Sequence, residues 1–272
     1  MLIIGYVLGM FVGVVLGLFG AGGAIISFPI LVYFMGIVPQ QASVYSLLIV
    51  GVAALSGVLK YLKHKEVDFK TALIFTPPVL LAFYITKQII IPSIPEQIFN
   101  AGNFIYTRDR LLMTIFVITL SYTIYKMISS AKTDNSSTVQ ENKFNKSNII
   151  KYLSYSFAVG ILSASIGAGG GFIIVPALVL LFRLPIKIAT GTSLFVITAN
   201  ALVGTIINRN TIQSEHFLMI TLFILFAIIG IFIGSYLNKI LQANQLKHYY
   251  SYFLIFVLLS TIITETYKSI NN

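Results

Sequence analysis

The sequence predicts an all-α, polytopic membrane protein built from two inverted-topology repeats, and three observations carry that prediction. The first is composition: 57% of the 272 residues are hydrophobic and 10% charged, where a soluble domain carries about 25% charged residues. Mean hydropathy is +0.91. The second is the length of the apolar runs, which approach the ~20 residues that span a hydrocarbon core of about 30 Å. Backbone polar groups in lipid must be satisfied internally, which leaves helices or closed barrels. Continuous apolar runs without period-two alternation exclude the barrel. The third is self-similarity at a constant offset of 147 residues.

Taken in order, apolar segments fall at about 2–19, 24–35, 42–59, 71–91 and 111–128, and again at about 149–166, 171–182, 188–206, 217–237 and 249–267. Leu2–Phe19 followed by Gly20-Ala21-Gly22 has the outline of a signal peptide. It lacks a basic n-region and its pattern recurs at 160–176, so it is read as retained. The second segment of each half has about 12 residues, or about 18 Å of helix, too short to span upright; whether it crosses or re-enters is open. Between the two sets of five lies a run rich in Asn, Ser, Thr and Lys, typical of a flexible loop. The expected organisation is a first repeat at 1–131, a flexible cytoplasmic linker at 132–148 and a second repeat at 149–272.

At the offset of 147, Gly13 falls on Gly160, Gly20-Ala21-Gly22-Gly23 on Gly167-Ala168-Gly169-Gly170, and Pro29 on Pro176. Ser46-Leu47 falls on Ser193-Leu194, Gly57 on Gly204 and Asp68 on Glu215. Chance matching of apolar residues does not put glycines and a proline in register. An odd number of crossings per half inverts the second repeat. Thirteen of the 18 lysines and arginines, among them Lys60, Lys63, Lys239 and Lys247, then share one side. The positive-inside rule makes that side cytoplasmic and puts both termini outside. The net charge of +10 thus reflects loop anchoring, and nucleic acid is not an expected partner.

Inverted repeats with broken helices are the signature of secondary transporters, whose sites lie near the midplane. The candidate breaks are Gly20, Gly22 and Gly23 in the first repeat and Gly167, Gly169, Gly170 and Gly171 in the second. Glycine admits the φ > 0 turn of an unwound segment and close approach of a ligand. The short helices that follow offer unpaired N–H groups and a positive dipole end, which together make an anion site. Pro29 and Pro176 are read as helix-end or kink devices. The four-residue spacing of Gly5, Gly9, Gly13 and Gly17 reads as a packing face. Hydroxyls following each motif, Ser43 and Ser46 in one half and Thr190, Thr192 and Ser193 in the other, cap helices or bind an oxyanion. Asn200, deep in an apolar run, is a cavity contact or an interhelical hydrogen bond.

No Asp or Glu lies in the middle of an apolar segment, which favours an anionic over a cationic substrate. Zero cysteines exclude thiolate chemistry, and the three histidines lie near loops too far apart for a metal site. Neither an enzyme, a metal nor a cofactor is expected. No phosphate-binding G-x-x-x-x-G-K-[ST] motif is present, so ATP is not used by this chain.

Gly-Ala-Gly-Gly-Gly-Phe-Ile-Ile-Val-Pro at 167–176, followed by Ala189-Thr190-Gly191-Thr192-Ser193, resembles the sulfite exporter TauE/SafE family of permeases. The resemblance covers essentially the whole chain. It implies transport of sulfur oxyanions or organosulfonates across the bacterial inner membrane. The partners are then a small anionic substrate and the lipid bilayer, with a homodimer left open. The first half departs from the pattern at Ala24 and at Val44-Tyr45-Ser46. Other readings are a permease for a different solute, uptake included, and a non-transporting membrane scaffold.

Overall fold

The first glycine cluster separates two helices, α1 (Leu2–Phe19) and α2 (Gly23–Tyr33), in the computed structural model, which describes residues 2–101, 104–133, 149–166 and 171–271. Next come α3 (Pro39–Lys63) and α4 (Phe69–Ile85). The carboxylate of Asp68 caps α4 by accepting from the backbone N–H groups of Lys70 and Thr71. α4 continues through a π-helical turn, Thr86–Ile90, into the short α5 (Ile91–Ser93). An antiparallel ribbon of β1 (Gln97–Ala101) and β2 (Phe104–Thr107), absent from the sequence expectation, leads into α6 (Arg108–Thr133). The second half comprises α7 (Ile149–Ile166), α8 (Gly171–Leu180), α9 (Ile186–Ile207), α10 (Phe217–Ile240) and α11 (Ala243–Asn271). The linker expected at 132–148 lies outside the described residues from 134 onward; its first two residues close α6.

Among the described residues six spans are long and apolar enough to cross a membrane: α3, the continuous Phe69–Ser93, and stretches of α6, α9, α10 and α11. Large apolar side chains such as Leu218, Ile233, Phe256 and Ile263 are exposed on them, an outer surface suited to lipid rather than water. The chain is a multi-pass α-helical membrane protein. Its remaining apolar helices, α1, α2, α7 and α8, are of a different kind. The side chain of Met35, just past α2, lies against Gly5 near the start of α1. The first short helix therefore turns back beside the one before it, as a hairpin.

The prolines do not end these short helices. Pro29 lies inside α2 and Pro176 inside α8. A helical proline frees the carbonyl four residues earlier. For Pro176 this is the Phe172 carbonyl, and the buried Tyr250 hydroxyl donates to it at 2.7 Å. The helix continues because the lost partner is replaced from α11.

The duplication is visible in the backbone. Phe34 N and Met35 N both donate to Ile30 O, Ile37 N to Leu31 O, and Ala42 N to Val38 O. At the offset of 147, Leu181 N and Phe182 N donate to Ala177 O, Leu184 N to Leu178 O, and Ala189 N to Pro185 O. The left-handed residue in this turn is Gly36 (φ 71°) in one half and Arg183 (φ 54°) in the other. Packing follows the same exchange. α1 lies along α10, as α7 lies along α4; α3 packs on α10, as α9 packs on α4; α2 packs on α3, as α8 packs on α9. At the centre α3 crosses α9. A Cβ built on Gly57 would stand 3.0 Å from Leu194 Cδ1, and one on Gly204 would stand 3.0 Å from Leu47 Cδ1.

The α1–α10 contact explains the glycine spacing in α1. A methyl group on Gly13 or Gly17 would overlap the backbone of Ala227 or Ile231, and one on Gly230 or Gly234 the backbone of Met10 or Val14. Gly9 faces the ring of Phe223. Small residues let two apolar helices approach at backbone distance, where dispersion contacts accumulate. This clasp holds the first helix of one half against the fourth segment of the other, so the halves interlock.

Candidate functional site

Gly20 and Gly22 take left-handed backbone conformations, with φ of 66° and 84°. Side chains rarely tolerate this region, and here there is no room for one either. A Cβ at Gly22 would stand 2.6 Å from the ring of Phe253, and one at Gly20 would run into the Thr190 carbonyl. The two glycines end α1 and begin α2 within three residues. Such a break strands the last carbonyls of one helix and the first N–H groups of the next.

Three carbonyls at the break are provided for, by three different helices. The Tyr61 hydroxyl of α3 donates to Gly17 O at 2.7 Å. Asn238 Nδ2 of α10 donates to Leu18 O at 2.6 Å. Ser193 Oγ of α9 lies 2.7 Å from Gly20 O and 2.7 Å from Thr190 O. Phe253 of α11 stacks on Phe19 with centroids 5.5 Å apart. The break is thus a built structure and not a frayed end.

The N–H groups on the other side of the break are not provided for. Among the described residues no hydrogen bond takes up the N–H of Gly23, Ala24 or Ile25. Gly22, Gly23 and Ala24 line a cavity of about 10 Å³ together with Gly171 and Ile197. Leu16 of α1, Leu47 and Val50 near the middle of α3, and Ala201 of α9 complete its wall. Gly171 opens α8, and a Cβ on it would lie 3.6 Å from Ala21 Cα. The two glycine regions therefore meet at one place, at the centre of the bundle. Gly167, Gly169 and Gly170 lie outside the described residues.

The hydroxyl cluster expected near the site has other work. Ser43 donates to Gln40 O, Ser46 to Ser43 O and Thr190 to Ile186 O, all within their own helices. Thr192 Oγ1 accepts from Asp68 N and ties the α3–α4 turn to α9. Of the five, Ser193 alone touches the break. Tyr45, which replaces the family residue in the first half, is fully buried and bonds outward. Its hydroxyl accepts from Gln213 N at 3.2 Å and lies 3.3 Å from His216 Nδ1.

Asn200 is different. It is 1% exposed, and among the described residues neither its Oδ1 nor its Nδ2 has a hydrogen-bond partner. It precedes Ala201, a cavity-wall residue, on α9, but is not itself one of the residues lining the cavity. A buried amide without partners costs roughly 1–3 kcal/mol for each group left unsatisfied. Sequence reasoning did not find Tyr61, Asn238 and Tyr250. Their only signal was a polar group in or just past an apolar segment, and nothing in the linear pattern pairs them with a carbonyl. No His, Cys, Asp and Glu grouping fit to hold a metal occurs among the described residues.

Comparison with known proteins agrees with this architecture. The sequence model of the family described as Sulfite exporter TauE/SafE matches residues 6–261. The probable membrane transporter protein YunE of Bacillus subtilis is 31% identical over 221 residues, covering 74% of this chain and 75% of that protein. A probable membrane transporter protein of Xylella fastidiosa is 27% identical over 199 residues, 73% of this chain and 70% of that one. One from Haemophilus influenzae is 30% identical over 188 residues, 69% of this chain and 66% of that one. No solved structure matches the chain. With the family match spanning nearly its whole length, this chain belongs to the sulfite exporter TauE/SafE family of membrane transporters.

Proposed function

We propose that this protein is a secondary transporter of a small anion, sulfite or a related sulfur oxyanion or organosulfonate. It works by alternating access around its two glycine breaks, between repeats of opposite orientation. The observation that carries this reading is the set of unpaired N–H groups at Gly23 and Ala24, presented to a cavity shared with Gly171. A helix N-terminus with free donors and a favourable dipole binds anions without a cationic side chain. Asn200 supplies a further donor beside it. The hydroxyls of Ser43, Ser46, Thr190 and Thr192 keep the helix ends in place, and Ser193 fixes the break.

The cavity, at about 10 Å³, holds about one water. An anion enters only when the hairpins part on one side, and the paired packing of α1 on α10 and α7 on α4 provides two equivalent hinges for that. The lysine distribution supports a cytoplasmic face at the α3–α4 turn, with both termini outside, in a bacterial inner membrane. Membrane potential then drives anions outward, at about 2.3 kcal/mol per charge per 100 mV. Flux of sulfite and of an alkyl sulfonate into proteoliposomes of the purified protein tests the reading. Absence of flux for both, at potentials of either sign, would refute it. Replacing Asn200 by Leu removes buried polar atoms that have no partners. It should leave thermal stability equal or higher while lowering flux at least about tenfold, the worth of one hydrogen bond to an ion. Unchanged flux would remove Asn200 from the site.

A further inference from the structure

A second pocket lies where α3 and α10 end, away from the central cavity. It has a volume of about 80 Å³, and Lys60, Tyr61, His64 and Glu66 line one side while Ser235, Tyr236 and Lys239 line the other. The volume is several times the ~10–15 Å³ that one water needs. Lys60 Nζ is held 2.9 Å from Phe232 O and 5.1 Å above the Phe232 ring, which uses one of its three donors. Lys239 is exposed, and among the described residues its ammonium has neither a carboxylate nor a carbonyl partner. Lys187 Nζ reaches the same corner, donating to Lys239 O at 3.0 Å. Against these cations the wall holds a single carboxylate, Glu66. A cleft in which one sign of charge predominates concentrates counter-ions.

The pocket is also connected to the break. Tyr61 forms part of its wall, and the same side chain donates to Gly17 O in the last turn of α1. We infer that this pocket is a vestibule for a small soluble oxyanion, gripped by Lys60 and Lys239 before it passes to the glycine breaks. The ligand class rests on the anion-transport reading above, but the test does not require transport. Lipid phosphate shares the same chemistry, and the experiment separates the two sources.

Calorimetric titration of the purified protein in a neutral detergent, with sodium sulfite and sodium sulfate as probes, measures binding directly. Lys60→Gln and Lys239→Gln should each weaken binding about tenfold, the loss of one charge-assisted hydrogen bond. Lys239→Arg should retain it, and Lys70→Gln, at the exposed start of α4, should leave it unchanged. Sulfite affinity that is indifferent to both substitutions would overturn the vestibule. So would a result in which only phosphatidylglycerol binding depends on the two lysines. In proteoliposomes the same variants should raise KM about tenfold from the lysine-bearing side, with maximal flux retained. Flux with an unmoved KM overturns the vestibule and leaves the transporter. Lysine-dependent binding without any flux keeps the vestibule and refutes the transport reading.

Discussion

Ser193 gives the sharpest test of how the first break is held. Its hydroxyl lies 2.7 Å from Gly20 O and 2.7 Å from Thr190 O. The two acceptors are not equivalent. Thr190 O lies inside α9, where the backbone N–H of Leu194 is its ordinary helical partner. Gly20 O follows the end of α1, is buried, and has no backbone donor among the described residues. In Ser193→Ala the Gly20 carbonyl is therefore left unpaired, at a cost of about 1–3 kcal/mol. At roughly 2–4 °C per kcal/mol for a chain of this size, the midpoint should fall by roughly 2–12 °C. Helical circular dichroism of the purified protein during heating is a suitable readout, because the chain contains no tryptophan. Thr198→Ala is the matched control. That hydroxyl is also buried on α9, but it donates to Leu194 O, a carbonyl within its own helix. Its loss should cost under about 1 kcal/mol, since no group is orphaned. Equal midpoints for the two variants would refute the claim that Ser193 anchors the break.

Two further outcomes follow from the same accounting of backbone groups. Tyr250→Phe leaves the Phe172 carbonyl, already deprived of its helical donor by Pro176, without a partner, and should cost about 1–3 kcal/mol. Adding Pro176→Ala restores an N–H to that carbonyl, so the double variant should recover most of the loss; additive losses in the double-mutant cycle would refute the pairing. Gly22→Ala combines a left-handed backbone with a Cβ 2.6 Å from Phe253, and it should lose flux as well as stability. Gly36→Ala has a similar φ with nothing within 4 Å of the added carbon, so it should cost only the ~1–2 kcal/mol of the backbone and keep its flux. Comparable damage in the two would show that space at Gly22 is not what matters.

Much of the fold was legible in the sequence because lipid makes hydrophobicity nearly synonymous with location. The six long spans among the described residues, the duplication and the break at Gly20 and Gly22 follow from runs of one chemical kind and from glycines in register. The packing role of Gly9, Gly13 and Gly17 was legible for the same reason, since four-residue spacing keeps small residues on one helix face. The ribbon of Gln97–Ala101 and Phe104–Thr107 was not, because the loop that carries it shows no strong alternation. Nor was the persistence of α2 and α8 beyond their prolines. For α8 the freed carbonyl finds its donor in Tyr250, 74 residues away from Pro176 in the chain.

The sequence by itself determined where the chain could break: glycine adopts the left-handed backbone of Gly20 and Gly22 without the steric cost a side chain brings. Only the tertiary structure decided what each side of the break would do. Tyr61, Asn238 and Ser193 arrive from three helices to occupy three of the carbonyls, while among the described residues nothing arrives for the N–H groups of Gly23 and Ala24. Hydrogen-bond satisfaction is a property of distances between segments, and no local pattern encodes it. The hydroxyls of Ser43, Ser46, Thr190, Thr192 and Ser193 have protein partners in the fold, and the donors without one at the first break belong to the backbone itself.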